Sequence, residues 1–274
     1  MIKKSIFLLF CIFIFSSCSK YYRFDELYDK GDYIKAYNLL DQIKNKRNPH
    51  YQKRLYRIVM RLAFDGDQDF LSKLKNILSE EHLPDVDNYV FLAKTYEMFL
   101  DAKNPQEYTV VISNLTDIRA TPEEFWVFGY KIRGISKYKT GKYNEAIDDL
   151  EQSYRLSPYA DNFYFIGMSY YNLEEPKQAE NYFQKLIAES QNNFFKSLAY
   201  FQLGEIDYYQ NRYQEALDNY INAVNNYSNS ADYAYRIAKC LQKLKYNHIS
   251  QKFLKISLKI QKDYANAWFF LNIN

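Results

Sequence analysis

The chain has 274 residues, 47% hydrophobic and 25% charged, with 36 basic against 33 acidic side chains. Setting aside Lys3 and Lys4 leaves 34 basic against 33 acidic, so no basic stripe is available for a phosphate backbone and nucleic acid is not an expected partner. Gly and Pro are scarce and no Ser- or Pro-rich linker interrupts the chain, which predicts one continuous array over 18–274, while 29 Tyr and 20 Phe offer contact area between helices and along a groove.

In chain order, Lys3 and Lys4 precede an apolar run from Ile6 to Phe15. That run is well short of the roughly 20 residues that span a bilayer, and it predicts an export signal over 1–17. The segment Phe15-Ser16-Ser17-Cys18 resembles the lipobox of bacterial lipoproteins, with Phe15 where that family prefers Leu. The resemblance implies that Cys18 becomes the first mature residue and carries a diacylglycerol by thioether, anchoring the protein to a membrane of the bacterial envelope. Ser19 stands where an Asp acts as an inner-membrane retention signal in some bacteria, which implies the outer membrane, periplasmic side. Helical pattern resumes a few residues later, so the first hairpin is expected close to the membrane surface. With Cys11 and Cys18 assigned, Cys240 alone remains in the folded part; it lies in a helical pattern and reads as a small buried hydrophobe.

Phe24, Leu27 and Tyr28, followed by Gly31, Tyr33, Ala36, Leu40 and Ile43, predict a hairpin over 21–50 that closes near Pro49. Across 51–121 four apolar stripes predict two divergent hairpins: Leu55 to Leu62, Phe70 to Leu78, Val90 to Phe99, and Tyr108 to Ile118 after Asn104-Pro105. From 127 to 160 the order sharpens. Tyr130, Gly134 and Tyr138 recur at four-residue steps, Thr140-Gly141 breaks the helix, and Tyr143, Ala146, Ile147, Leu150 and Tyr154 form a second stripe that Pro158 ends. Comparable copies occupy 160–193, 197–230 and 231–262, and Ala267-Trp268-Phe269-Phe270-Leu271 opens a capping helix over 264–274. The phrase Gly31-Asp32-Tyr33-Ile34-Lys35-Ala36 returns at Gly141 to Ala146 and at Asn211 to Ala216.

This ordering resembles the tetratricopeptide repeat, a 34-residue helix–turn–helix. The resemblance implies an all-α fold, a right-handed α-solenoid of stacked helix–turn–helix hairpins, in which the first helix of each hairpin lines a concave groove for a protein or peptide partner. Carried over by position, the groove would take Lys131, Ile135, Tyr138 and Lys139 from one copy and Tyr164, Met168, Tyr171 and Asn172 from the next. Later copies would give Phe201, Glu205, Tyr208 and Tyr209, then Tyr235, Lys239 and Lys243. Each aromatic residue among them has a competing role in packing between hairpins. The Lys and Asn clamp of the chaperone-binding members is not matched, since Ile135 follows Lys131 at that spacing.

Ingredients for catalysis are missing. His50, His82 and His248 are isolated in sequence, and no phosphate-binding glycine loop or nucleophile elbow occurs, so neither metal nor cofactor nor enzyme activity is expected. The pairs Glu123-Glu124 and Glu174-Glu175 are expected at helix starts, where carboxylates favour the positive dipole end, and Asp148-Asp149 is expected on a solvated face. The expected function is a lipid-anchored envelope scaffold for protein–protein interaction, resembling in architecture the outer-membrane assembly lipoproteins. The alternatives are a wall-cleaving, transglycosylase-like envelope enzyme or its accessory, for which repeats running to the last residue leave no room, and a self-associating structural protein.

Overall fold

The computed structural model describes residues 20–43, 45–80 and 84–273. The expected signal segment, Cys18 and His82 lie outside them. The described residues form fifteen α-helices and no strand. Contacts divide the chain into two compact units, one ending at Ile132 and one beginning at Arg133. The first unit contains α1 (20–29), α2 (Tyr33–Asp41), α3 (Pro49–Phe64), α4 (Gln68–Leu78), α5 (Asp87–Asp101) and α6 (Pro105–Asn114). The division falls within α7 (Trp126–Lys139). The second unit continues through α8 (Tyr143–Leu156), α9 (Asn162–Asn172), α10 (Pro176–Glu189), α11 (Asn193–Tyr209), α12 (Tyr213–Asn226), α13 (Ala231–Lys243), α14 (Asn247–Ile260) and α15 (Ala265–Ile273).

One turn recurs through both units. Gly31, Gly66, Gly141, Glu174, Asn211 and Lys245 each have a positive φ, between 61° and 95°, at the end of a first helix. The residue after each donates its backbone N–H to a carbonyl five positions back: Asp32 to Leu27, Asp67 to Leu62, Lys142 to Lys137, Glu175 to Tyr170, Arg212 to Asp207 and Tyr246 to Leu241, at 2.7–3.1 Å. This left-handed closure satisfies carbonyls that the helix end would otherwise leave open, and it reverses the chain into the second helix. The same closing residue accepts the first bond of that helix, from Ala36, Leu71, Ala146, Ala179, Ala216 and Ser250 in turn. Of these, all but Leu71 are buried.

Close helix approach comes from a small residue seven positions before the turn. A Cβ on Gly134 would lie 2.8 Å from Leu150 Cγ, one on Gly167 2.7 Å from Phe183 Cε1, and one on Gly204 2.7 Å from Tyr220 Cε1. In the following hairpin Ala238 fills that place and packs with Leu254 and Ala267. Buried polar side chains tie neighbouring helices together, which offsets their desolvation. Asn162 Nδ2 donates to Leu150 O at 3.2 Å and Ser153 Oγ at 3.0 Å, and Ser257 Oγ donates to Ala231 O at 2.7 Å.

Several expectations change. Pro49 is the first residue of α3, capped by Asn48, whose side chain accepts from His50 N at 2.8 Å, and so it opens a helix where closure was expected. The α6 stripe ends at Asn114; Ile118 belongs to a short 3₁₀ turn, Ile118–Ala120, capped by Asp117, yet stays buried against Gly129. Asp149 is not solvated. It is 5% exposed and pairs with Arg133 Nη2 at 2.6 Å and Lys137 Nζ at 2.9 Å, whereas Asp148 is exposed as expected. Glu124 turns from its helix start toward Arg57 and Tyr89, and Glu174 is itself a left-handed turn residue. Cys240 is fully buried, among Ala216, Tyr220 and Ile237.

Candidate functional site

The repeated turn sets a register for the predicted groove residues. Tyr164, Phe201 and Tyr235 stand ten positions before their left-handed residues, Met168, Glu205 and Lys239 six, and Tyr171 and Tyr208 three. Lys131 and Tyr138 hold the corresponding places before Gly141; Lys131 is half-buried in the first unit and Tyr138 belongs to the second.

The aromatic residues ten positions before the turn, and Tyr138, pack between helices. Tyr164 has ring neighbours in Phe165, Phe183 and Phe195 at 5.2, 6.4 and 6.5 Å, and burial pushes its hydroxyl up to about 12. Phe201 stacks on Tyr233 at 4.9 Å and tilts against Tyr220 at 5.6 Å. Tyr235 meets Tyr264 and Phe270 edge-on at 5.7 and 5.8 Å. Tyr138 rests against Tyr143 and Phe165, and burial raises its hydroxyl pKa. These rings contribute mainly to hairpin stacking.

Helices α11 and α13 bring charge and aromatic surface together. Glu205, 7% exposed, accepts a hydrogen bond from Tyr220 Oη and faces Arg236 Nη2 at 3.1 Å. Burial raises its carboxyl above the usual carboxylate range, against the pull of Tyr220 and Arg236. Arg236 also reaches Asp232 at 3.6 Å. Lys239 Nζ lies 4.8 Å from the Tyr208 ring centre and 5.8 Å from that of Tyr235, and burial followed by the charge of Arg236 lowers its pKa. Tyr209, 65% exposed, adjoins Tyr208 at 6.0 Å. On α9, burial first and then Tyr209 and Glu205 raise the Tyr171 hydroxyl pKa. Met168 is half-buried one turn earlier, and Asn172 Nδ2 is occupied by Met168 O at 2.7 Å.

The cluster therefore brings together cations, a buried carboxylate and tyrosine edges. Burial pushes the nearby Cys240 thiol up to about 12, leaving it protonated at neutral pH. His50 and His248 are exposed, and the described residues contain no group of His, Cys, Asp and Glu suited to a metal ion.

Arg236 is a member that the register alone did not select, because Phe165 and Gln202 fill its place in the preceding copies. The signal for it was the four-residue spacing from Asp232, together with an acid, Glu205, on the preceding first helix. The first unit holds a second polar cluster that sequence reading missed. Arg57 Nε lies 2.5 Å from Glu124 Oε2, its guanidinium sits 4.0 Å over the Tyr28 ring, and Tyr89 Oη donates to Glu124 at 2.7 Å. Asp25 and Asp29 flank the same arginine at 3.6 Å. Arg57 on α3 thus ties α1, through Asp25 and Asp29, to Glu124 and its partner Tyr89 on α5.

Comparison with known proteins supports the all-α fold of helix–turn–helix hairpins. A tetratricopeptide-repeat family model matches residues 161–192 and 198–230. No curated protein matches the chain. A crystal structure of MamA is 16% identical over 66% of this chain and 94% of its own, with a TM-score of 0.53. MamA from Desulfovibrio magneticus is 12% identical, covering 65% of this chain and 97% of its own, with a TM-score of 0.54. The APC/C hetero-tetramer Cut9–Hcn1 gives 17% identity over 91% of this chain and 47% of the other, with a TM-score of 0.61. At these identities the likeness is one of fold. Two tetratricopeptide repeats thus lie within 161–230, inside an all-α array of helix–turn–helix hairpins.

Proposed function

We propose that the protein is a lipid-anchored scaffold of the bacterial cell envelope that binds a protein partner through the first helices of its second unit, α9, α11 and α13. The observation that carries the reading is the cluster of Glu205, Arg236 and Lys239 with Tyr208 and Tyr209, which presents charge and aromatic edges from two successive hairpins, while Tyr171 holds the place of Tyr208 in the repeat of α9. Tyr and Arg anchors at the centre of such a face supply most of the binding energy of protein interfaces. Fold relatives lend support: the Cut9–Hcn1 protein is a hetero-tetramer, and assembly with a partner is carried over from it as part of this proposal. The anchor rests on Cys18 and the small residues before it, and outer-membrane placement on Ser19. No reaction is assigned, and a role in envelope assembly is the expected context.

Two experiments test the reading. Tyr209→Ala, Tyr171→Ala and Lys239→Ala are compared with the parent in affinity capture from the native envelope. The partner is expected to be lost or weakened about 10-fold or more by at least one of them, as for an interface anchor; undiminished capture by all three refutes the face. Metabolic labelling with a fatty acid is expected to mark the parent and not Cys18→Ala; a labelled Cys18→Ala protein, or an unlabelled parent, refutes the anchor.

A further inference from the structure

Helix α14 buries Ser250, Leu254 and Ser257 against its neighbours. On its other side Ile249, Lys252, Ile256, Lys259 and Ile260 recur at helical spacing, with Lys255 beside them. All six are exposed, the three isoleucines at 44%, 44% and 37%. The surrounding segment is one-sided in charge: residues 244–271 contain Lys245, Lys252, Lys255, Lys259 and Lys262 against Asp263 as the single acid. Lysines elsewhere, such as Lys30, Lys75 and Lys137, pair with carboxylates, but none of these five forms an ion pair among the described residues. On the adjacent α15, Trp268 and Phe269 are 50% and 69% exposed, and Trp268 Nε1 donates to Lys262 O at 2.8 Å, which fixes the indole beside that lysine.

The geometry points to docking of this α14 face on an anionic lipid surface. Its lysines would meet the phosphate headgroups, while Ile249, Ile256 and Ile260 enter the interfacial layer. The chemistry fits a diffuse anionic surface better than an acidic protein. Every cation on the face is a lysine, a mobile point charge on an apolar stem, and none is an arginine with the planar fork that matches individual carboxylates. A row of aliphatic side chains flanked by lysines is the pattern of a helix lying in a membrane interface. No helix among the described residues is long and apolar enough to cross a membrane, so the contact is one of surface docking. This inference depends neither on the α9–α11–α13 face nor on lipidation of Cys18.

The test offers the full chain to vesicles of phosphatidylcholine, to vesicles with about a third phosphatidylglycerol, and to polyglutamate in parallel. The N-terminal apolar segment is common to every variant, so the readout is the preference for anionic over neutral vesicles, compared between variants whose helix content is checked by circular dichroism. The parent is expected to prefer the anionic vesicles, and the triple variant Lys252→Gln/Lys255→Gln/Lys259→Gln to lose about 100-fold of its partition onto them at low salt. Ile256→Ser/Ile260→Ser is expected to weaken partition about 10-fold with the lysines intact. Equal partition of parent and triple variant, or no effect of the isoleucine changes, overturns the proposal. Capture of polyglutamate without preference for anionic vesicles also overturns it, in favour of an acidic protein.

Discussion

Gly167→Ala sets two effects of opposite sign against each other. Removing a glycine from the interior of α9 gains about 1 kcal/mol of helix propensity. The added methyl would lie 2.7, 2.9 and 3.0 Å from Cε1, Cδ1 and Cζ of the fully buried Phe183 ring. A rigid ring meeting a backbone-fixed atom at such distances must move, and overpacking of this kind costs about 1–3 kcal/mol. With three atoms inside contact distance the cost falls in the upper part of that range, so a net loss of about 1–2 kcal/mol is expected. The control is Gly129→Ala, whose methyl would meet the flexible end of Ile118 at 3.1 Å, and which is expected to be neutral or slightly stabilising. Urea unfolding followed by far-ultraviolet circular dichroism measures both. Adding Phe183→Leu to Gly167→Ala should recover part of the loss, a coupling that a double-mutant cycle reads directly. A Gly167→Ala protein as stable as the parent or more so, or a Phe183→Leu change that adds independently, would refute the close-packing account of the hairpin.

Glu174→Gly is expected to stabilise the protein by about 0.5 kcal/mol in urea, because relief of a left-handed backbone outweighs the added freedom of the unfolded chain; destabilisation would contradict this. Asp149→Ala is expected to cost about 3 kcal/mol in the same assay, since Arg133 and Lys137 side chains only 15% and 12% exposed would lose their buried counter-charge; a change within about 0.5 kcal/mol would show the triad to be superficial. Glu205→Gln tests pH linkage. Burial raises the native Glu205 pKa above that of an ordinary carboxyl, so its favourable contribution is complete below the ordinary value and is lost as pH rises through the native pKa. The stability of the parent relative to Glu205→Gln should therefore fall as pH is raised from 4.5, and parallel or oppositely sloped curves would contradict the assignment.

Hairpin order was readable from sequence wherever the turn selected its residue. Gly31 and Gly141 sit at positive φ, and Gly134, Gly167 and Gly204 allow a large partner from the second helix to approach. Where packing carries the backbone cost instead, the signal fades. Glu174 and Lys245 make the same turn without glycine, and Gly66 makes it with Leu71 in place of the small residue, so the recurring phrase revealed only half of the six turns. The hairpin of α5 and α6 has no left-handed residue; its chain passes through an extended Ala102 to an Asn104 cap, and only its apolar spacing was visible. Of the α11–α13 cluster, the positions of Tyr208, Glu205 and Lys239 followed from register. Arg236 and the buried Asp149 did not, because a charged residue's burial depends on partners from other turns that periodicity cannot supply.

The central claim is that α9, α11 and α13 present the partner-binding face. The most direct measurement incorporates a photo-crosslinking amino acid, in the native envelope, at Tyr171, at Tyr209, or at Glu215 on the exposed side of α12. The expected result is one common crosslinked protein from positions 171 and 209 and none from 215. A partner captured only from 215, or equally from all three positions, or no crosslink from 171 and 209, would contradict it.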